Sequence, residues 1–166
     1  IGSPCTNVLA DNLSQAAIID AVKHGRTVVQ LRGAFDAFAE MTMKTQSGSD
    51  AEIGDEVDGV DHIAITAHVT GGDGDIVQLF RNGTKVDQAT VSGSDYSTQF
   101  DRAPTGDLER YRLEVIGKDT AEPIVITSHI WVKGVPPAGG CRTTGGAASS
   151  GVLCVLALLV LRRRRK

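Results

Sequence analysis

Aromatic residues are scarce in this 166-residue chain: they make up 4%, with one tryptophan, two tyrosines and four phenylalanines. A broad stacking platform for sugars or bases is therefore not expected, and the lone Trp131, at the end of an apolar strand, is expected to pack. Cysteine is equally sparse. Cys5, Cys141 and Cys154 show no C-x-x-C spacing and no nearby histidine pair, which argues against a zinc site. A Cys5–Cys141 disulfide is permitted outside the cytoplasm, and a small loop or core role for Cys5 is the alternative. Missing too are G-x-S-x-G, a Walker loop and H-E-x-x-H, so the sequence assigns no catalytic and no metal-ligating residue. A basic stripe is also lacking. The formal charge is −3, but Arg162, Arg163, Arg164, Arg165 and Lys166 are all basic, leaving twelve basic against twenty acidic residues over 1–161. An acidic body without clustered Lys/Arg excludes nucleic acid as the expected partner.

What the sequence does hold is patterning. Residues 13–25 predict a short helix: Ser14 suits the N-cap, Ile18, Ala21 and Val22 share one face, Lys23 and His24 suit the last turn, and Gly25 suits the stop. Strands are expected at 27–31 and at 35–43, the latter with Phe35, Ala37, Ala39, Met41 and Met43 on one side. Residues 44–61, polar and acidic, are expected to form a surface loop anchored by Ile53 and Val57. Beyond them, period-two alternation marks 62–70, 76–81, 84–91, 96–101, 110–116 and 123–132. Asn82-Gly83 is a strong hairpin turn, because both positions favour positive φ. These features predict a mainly β fold, an antiparallel, immunoglobulin-like β-sandwich with the helix outside it.

Few residues offer chemistry. His24 and Arg26 flank Gly25, where Arg26 is suited either to bind an anion or to brace the turn. His62 and His68, six apart on one strand, would lie roughly 20 Å apart on the solvent face, too far to share a metal. Asp73-Gly74-Asp75 looks like the start of a calcium loop, but Lys85 and Val86 stand where the bidentate glutamate is needed, so a tight acidic turn is expected.

The C-terminal region differs in kind. Residues 145–161 carry no charge and are followed at once by Arg162–Lys166. As a helix they would reach about 25 Å, near a membrane's hydrocarbon thickness of about 30 Å, with the arginines snorkelling. The basic cluster would then stay cytoplasmic and the acidic body would lie on the far side. A Pro/Gly linker over 133–144 precedes this segment. Together with Gly140-Cys141 and the terminal arginines, it resembles the MYXO-CTERM sorting tail of myxobacterial exported proteins. That likeness implies a transient membrane segment cut by a sorting protease near Gly140-Cys141, with the body left at the cell envelope or cell surface.

The order of features in the body resembles the C-terminal part of PHP-type metal-dependent phosphoesterases of the CehA/McbA branch. The residues that carry the likeness are Pro4-Cys5-Thr6-Asn7-Val8, the helix end Ala21-Val22-Lys23-His24-Gly25-Arg26-Thr27, Ile53-Gly54-Asp55, the Val77–Val86 hairpin, Arg110–Val115 and Thr127–Val132, with His129 where the family pattern has proline. The resemblance implies that residues 1–43 end a hydrolase barrel and that 44–132 form a β-sandwich appendage. The linker and the 145–166 tail would follow. Ile1 opens the sequence without a signal peptide, so an upstream catalytic domain is expected, and its divalent metals, manganese, zinc or iron, would be held by upstream residues. None of the family's metal ligands maps onto this sequence. The alternative is a non-catalytic surface-binding or spacer module.

Overall fold

Alternating apolar residues build two β-sheets that face each other across one core in the computed structural model, which describes residues 4–34, 36–58 and 62–134. The elements are β1 (Cys5–Val8), α1 (Gln15–Lys23), β2 (Thr27–Gln30), β3 (Phe38–Thr45), β4 (Asp50–Glu52), β5 (Glu56–Asp58), β6 (Ile63–Thr70), β7 (Ile76–Arg81), β8 (Thr84–Thr90), β9 (Asp95–Arg102), β10 (Glu109–Ile116), β11 (Pro123–Thr127) and β12 (Ile130–Lys133). The larger sheet runs β1-β2-β11-β10-β12-β5, with β7 on the other edge of β10 and β8 beyond it; the smaller runs β4-β3-β6-β9. Ala39, Met41 and Met43 of β3 and Ile63, Ile65, Ala67 and Val69 of β6 face Val77, Leu79, Tyr111, Leu113 and Val115, all 1% exposed or less. Burying each large aliphatic side chain contributes about 1.5–3 kcal/mol.

Local rules account for the element ends. The Ser14 hydroxyl accepts from Ala17 N–H at 3.2 Å, capping α1, and Gly25 at φ 71° stops it. Asn82 (φ 51°) and Gly83 (φ 85°) turn β7 into β8 with two left-handed residues, the geometry that matches strand twist.

Several expectations are corrected. The 35–43 strand begins at Phe38 and extends to Thr45, with Thr45 continuing the buried alternation; Phe35 lies outside the described residues. The 44–61 segment is more than a loop. Ala51 and Ile53 (both 2% exposed) and Val57 (7%) drive it inward, so β4 pairs antiparallel with β3, and β5 pairs parallel with β12. The larger sheet is therefore mixed, while the smaller is antiparallel throughout. The 123–132 strand divides at Ser128-His129 into β11 and β12, which share one edge of β10. There Leu113 N–H donates to the Thr127 hydroxyl at 2.9 Å, filling the gap in the ladder. A domain division at 43/44 would fall inside β3. β2 pairs with β11 and β3 with β6, so residues 27–30 and 38–45 belong to the two sheets themselves. The expected helix over 145–161, the cleavage site Gly140-Cys141 and Arg162–Lys166 lie outside the described residues. Among the described residues no helix is long and apolar enough to cross a membrane.

Candidate functional site

Three turns meet where β2 and β5 diverge from the split between β11 and β12. His24 ends α1 and turns back on it, its Nδ1 2.9 Å from the Asp20 carbonyl oxygen and 3.4 Å from the Asp20 carboxylate. Arg26 instead reaches across to the 53–55 turn: its guanidinium lies 3.4 Å from Asp55 Oδ1 and 3.8 Å from Asp11 Oδ1. Gly54 makes this approach possible. At φ 95°, a Cβ there would sit 2.5 Å from the His24 carbonyl oxygen and 2.8 Å from Arg26 Cγ. Gly54 N–H also donates to the His129 carbonyl at 2.8 Å, which joins all three turns. A guanidinium flanked by two carboxylates is a poor receptor for an anion, so the geometry favours Arg26 as a brace. It braces through side-chain carboxylates, while its own backbone N–H bonds the Ala21 carbonyl at 2.9 Å.

The acidic turn 73–75 spends its carboxylates on backbone amides. Asp73 Oδ1 accepts from Gly93 N–H at 2.7 Å, and the buried Asp75 accepts from Lys118 N–H at 2.9 Å. A cleft of about 300 Å³ beside it is lined by Asp36, Asp119, Arg32 and Lys118, with Arg32 Nε 3.6 Å from Asp36 and Lys118 Nζ 2.6 Å from the Asp73 carbonyl oxygen. Its charges are mixed in sign, with Arg32 paired to Asp36 and Lys118 held by a backbone carbonyl.

His62 and His68 both leave the core side of β6 to Ile63, Ile65, Ala67 and Val69, and His62 is exposed. His68 has company. Its Nδ1 is 3.1 Å from Glu40 Oε2 on β3 and its Nε2 2.8 Å from Asp95 Oδ1 on β9. Hydrogen bonds to Glu40 and then Asp95 hold its pKa above the usual 6.5, outweighing partial burial. Among the described residues, no three His, Cys, Asp or Glu side chains converge as metal ligands.

The most distinctive surface is one that sequence reasoning missed, the outer face of the larger sheet. With Tyr111, Leu113 and Val115 inward, β10 turns Arg110, Arg112 and Glu114 outward; with Ile130 and Val132 inward, β12 turns out Trp131, beside His129 just before the strand. Register brings them together: Arg110 stands opposite Trp131, and Arg112 opposite Phe80, itself opposite Lys85. The Arg112 guanidinium lies 4.9 Å over the Phe80 ring and binds Glu114 at 2.9 and 2.5 Å. The Arg110 guanidinium lies 6.0 Å over Trp131, whose ring centre is 5.7 Å from that of His129. Partial burial, and then the charges of Arg110 and Arg112, lower the His129 pKa, and its Nε2 is buried without a hydrogen-bond partner among the described residues. Trp131 is thus only half-buried, on the outside of the sandwich. The available signal was the alternation itself, in Arg-Tyr-Arg-Leu-Glu-Val and Ile-Trp-Val. Comparisons of the chain with protein-family models, with curated proteins and with solved structures return no match.

Proposed function

We propose that this chain is the C-terminal, non-catalytic portion of an exported, surface-attached metal-dependent phosphoesterase, its sandwich an immunoglobulin-like appendage and its apolar, arginine-ended tail a membrane and sorting signal. The observation that supports this most directly is α1. Leu13 is 95% exposed, Ile18 37%, Ile19 44% and Val22 53%, while only Ala21 of the helix is buried. A helix that turns its apolar stripe to solvent is suited to pack against another domain, here the barrel of the hydrolase. Among the described residues no side-chain cluster fits a metal centre. His68, Asp73, Asp75 and Glu109 are committed to other partners, and no reaction step is assigned to them.

The experiment compares the 166-residue chain with a longer polypeptide carrying an upstream hydrolase domain, using a phosphodiester and manganese. The chain alone should be inactive, and hydrogen exchange across 15–23 should slow in the longer protein. Turnover by the chain alone, or unchanged exchange in α1, would sink this reading.

A further inference from the structure

We infer that the outer face of the larger sheet is a binding platform for an acidic glycan, a polysaccharide bearing uronate carboxylates, with Arg110 and Trp131 at its centre. The inference is independent of any upstream catalytic domain.

Charge complementarity carries it. Across this face Arg112 is neutralised by Glu114, and Lys133 by Glu56 with Asp58 at 3.8 Å. Arg110 and Lys85 have no carboxylate partner among the described residues; Arg110 rests on the Trp131 ring, and Lys85 Nζ touches only the Gln88 amide oxygen at 3.0 Å. In a body with an excess of acidic residues, most cations of the described residues are paired, and Arg110 and Lys85 are left free on one face, where the carboxylates Glu56, opposite Trp131, and Glu114 are already engaged by Lys133 and Arg112. Screening over about 8 Å at physiological salt weakens the pull of acidic residues farther away.

The geometry selects the ligand further. A guanidinium held over an aromatic ring keeps its N–H edge available for bidentate contact with a carboxylate. The half-buried Trp131 ring beneath it adds apolar surface next to that edge, against which a sugar's C–H groups can lie. Trp131 and Phe80 lie on strands to either side of β10 and two residues out of step. With strands about 4.8 Å apart and a rise of about 3.3 Å per residue, their backbones are roughly 12 Å apart. That is the span of a short oligosaccharide. The face is the outer surface of the larger sheet, which suits a chain lying across the strands. Two free cations are too few for the counterion-release affinity that nucleic acids supply, so the glycan is the better occupant.

Trp131, the only tryptophan, reports the site directly. The full chain is titrated with a galacturonic acid oligomer, with the matching neutral galactose oligomer and with oligo(dT), while tryptophan emission is followed. Emission should shift with the uronate oligomer and not with the neutral one. Arg110→Ala should weaken the uronate about tenfold, Lys85→Ala should weaken it less, and Arg110→Lys should be intermediate, because the ammonium keeps charge but loses the bidentate edge. Melting temperatures matching the parent show that these exposed positions leave the fold intact. No emission change with uronate, equal binding of the neutral oligomer, tighter binding of oligo(dT), or undiminished binding by folded Arg110→Ala would each overturn the proposal.

Discussion

Glu109, a carboxylate 1% exposed at the start of β10, is the chain's most consequential buried charge. It accepts from the hydroxyl of Tyr111, a side chain 0% exposed, from Thr105 N–H at 2.9 Å and from the Thr105 hydroxyl at 2.7 Å, with the Arg81 guanidinium 3.7 Å away. The network ties the β9–β10 loop to the end of β7. Burial alone would raise the Glu109 pKa, but the bonds from Tyr111 and Thr105 and the charge of Arg81 outweigh it and hold the group below its usual value of 4.5. Burial and the adjacent carboxylate raise the Tyr111 hydroxyl above its usual range, so it stays a donor.

The perturbation is Tyr111→Phe, which keeps the ring and removes one hydrogen bond to a buried charge. Such a bond contributes about 1.5–3 kcal/mol. At about 3–4 °C per kcal/mol for a domain of this size, the melting temperature at neutral pH should fall by about 5–10 °C. Glu109→Gln supplies the pH test. Because the folded pKa is depressed, the carboxylate's contribution is present above the unfolded value and is lost as pH falls through the folded one. The gap between parent and Glu109→Gln should therefore be widest near neutrality and close in acid, as followed by circular dichroism melts across pH. Melting of Tyr111→Phe within about 1 °C of the parent, or a gap independent of pH, would refute the reasoning.

His68 carries the opposite sign: its raised pKa adds stability that is present below 6.5 and lost as pH rises through the folded value. On a partly exposed face this is worth about 0.2–1 kcal/mol, and His68→Gln should flatten that slope in pH-dependent melts. Gly54→Ala should cost about 3 kcal/mol or more in denaturant unfolding, since its Cβ would meet the rigid His24 carbonyl at 2.5 Å; Gly83→Ala, with positive φ but open space, should cost about 1 kcal/mol. In the chain by itself, amides of α1 should exchange faster than those of β6 and β10, because Ala21 is the helix's only buried anchor. Equal protection would show that α1 is held by more than its own face.

Most of the framework was readable wherever one strand faces the core on one side only. β6, β7, β10 and the Asn82-Gly83 hairpin follow directly from period-two alternation and turn chemistry, and α1 from its cap and stop. β4 and β5 were not readable, since three residues are too few to display a period. Their place depends on Ala51, Ile53 and Val57 finding the core. The split of 123–132 was hidden for a related reason. Ile130 continues the apolar pattern across Ser128-His129, and only the Thr127 side chain standing in for a backbone acceptor shows the break. A buried glutamate such as Glu109 has no signature in one dimension, because nothing in the local pattern shows that its charged partner, Arg81, comes from β7.

The same limit governs the candidate sites, and it works through register. Net charge presented the body as uniformly acidic, and Trp131 between Ile130 and Val132 resembled one more core residue. Yet inward Ile130 and Val132 require Trp131 to face outward, where pairing sets it between Arg110 of β10 and Glu56 of β5, the latter held by Lys133. Lys85 reaches the same face only because β7 pairs with both β8 and β10. A one-residue slip at either interface would move its cations to the other face. The local sign of the surface is therefore a property of strand register, so a substitution that shifts the β7–β10 pairing should abolish the platform even with Arg110, Lys85 and Trp131 all in place.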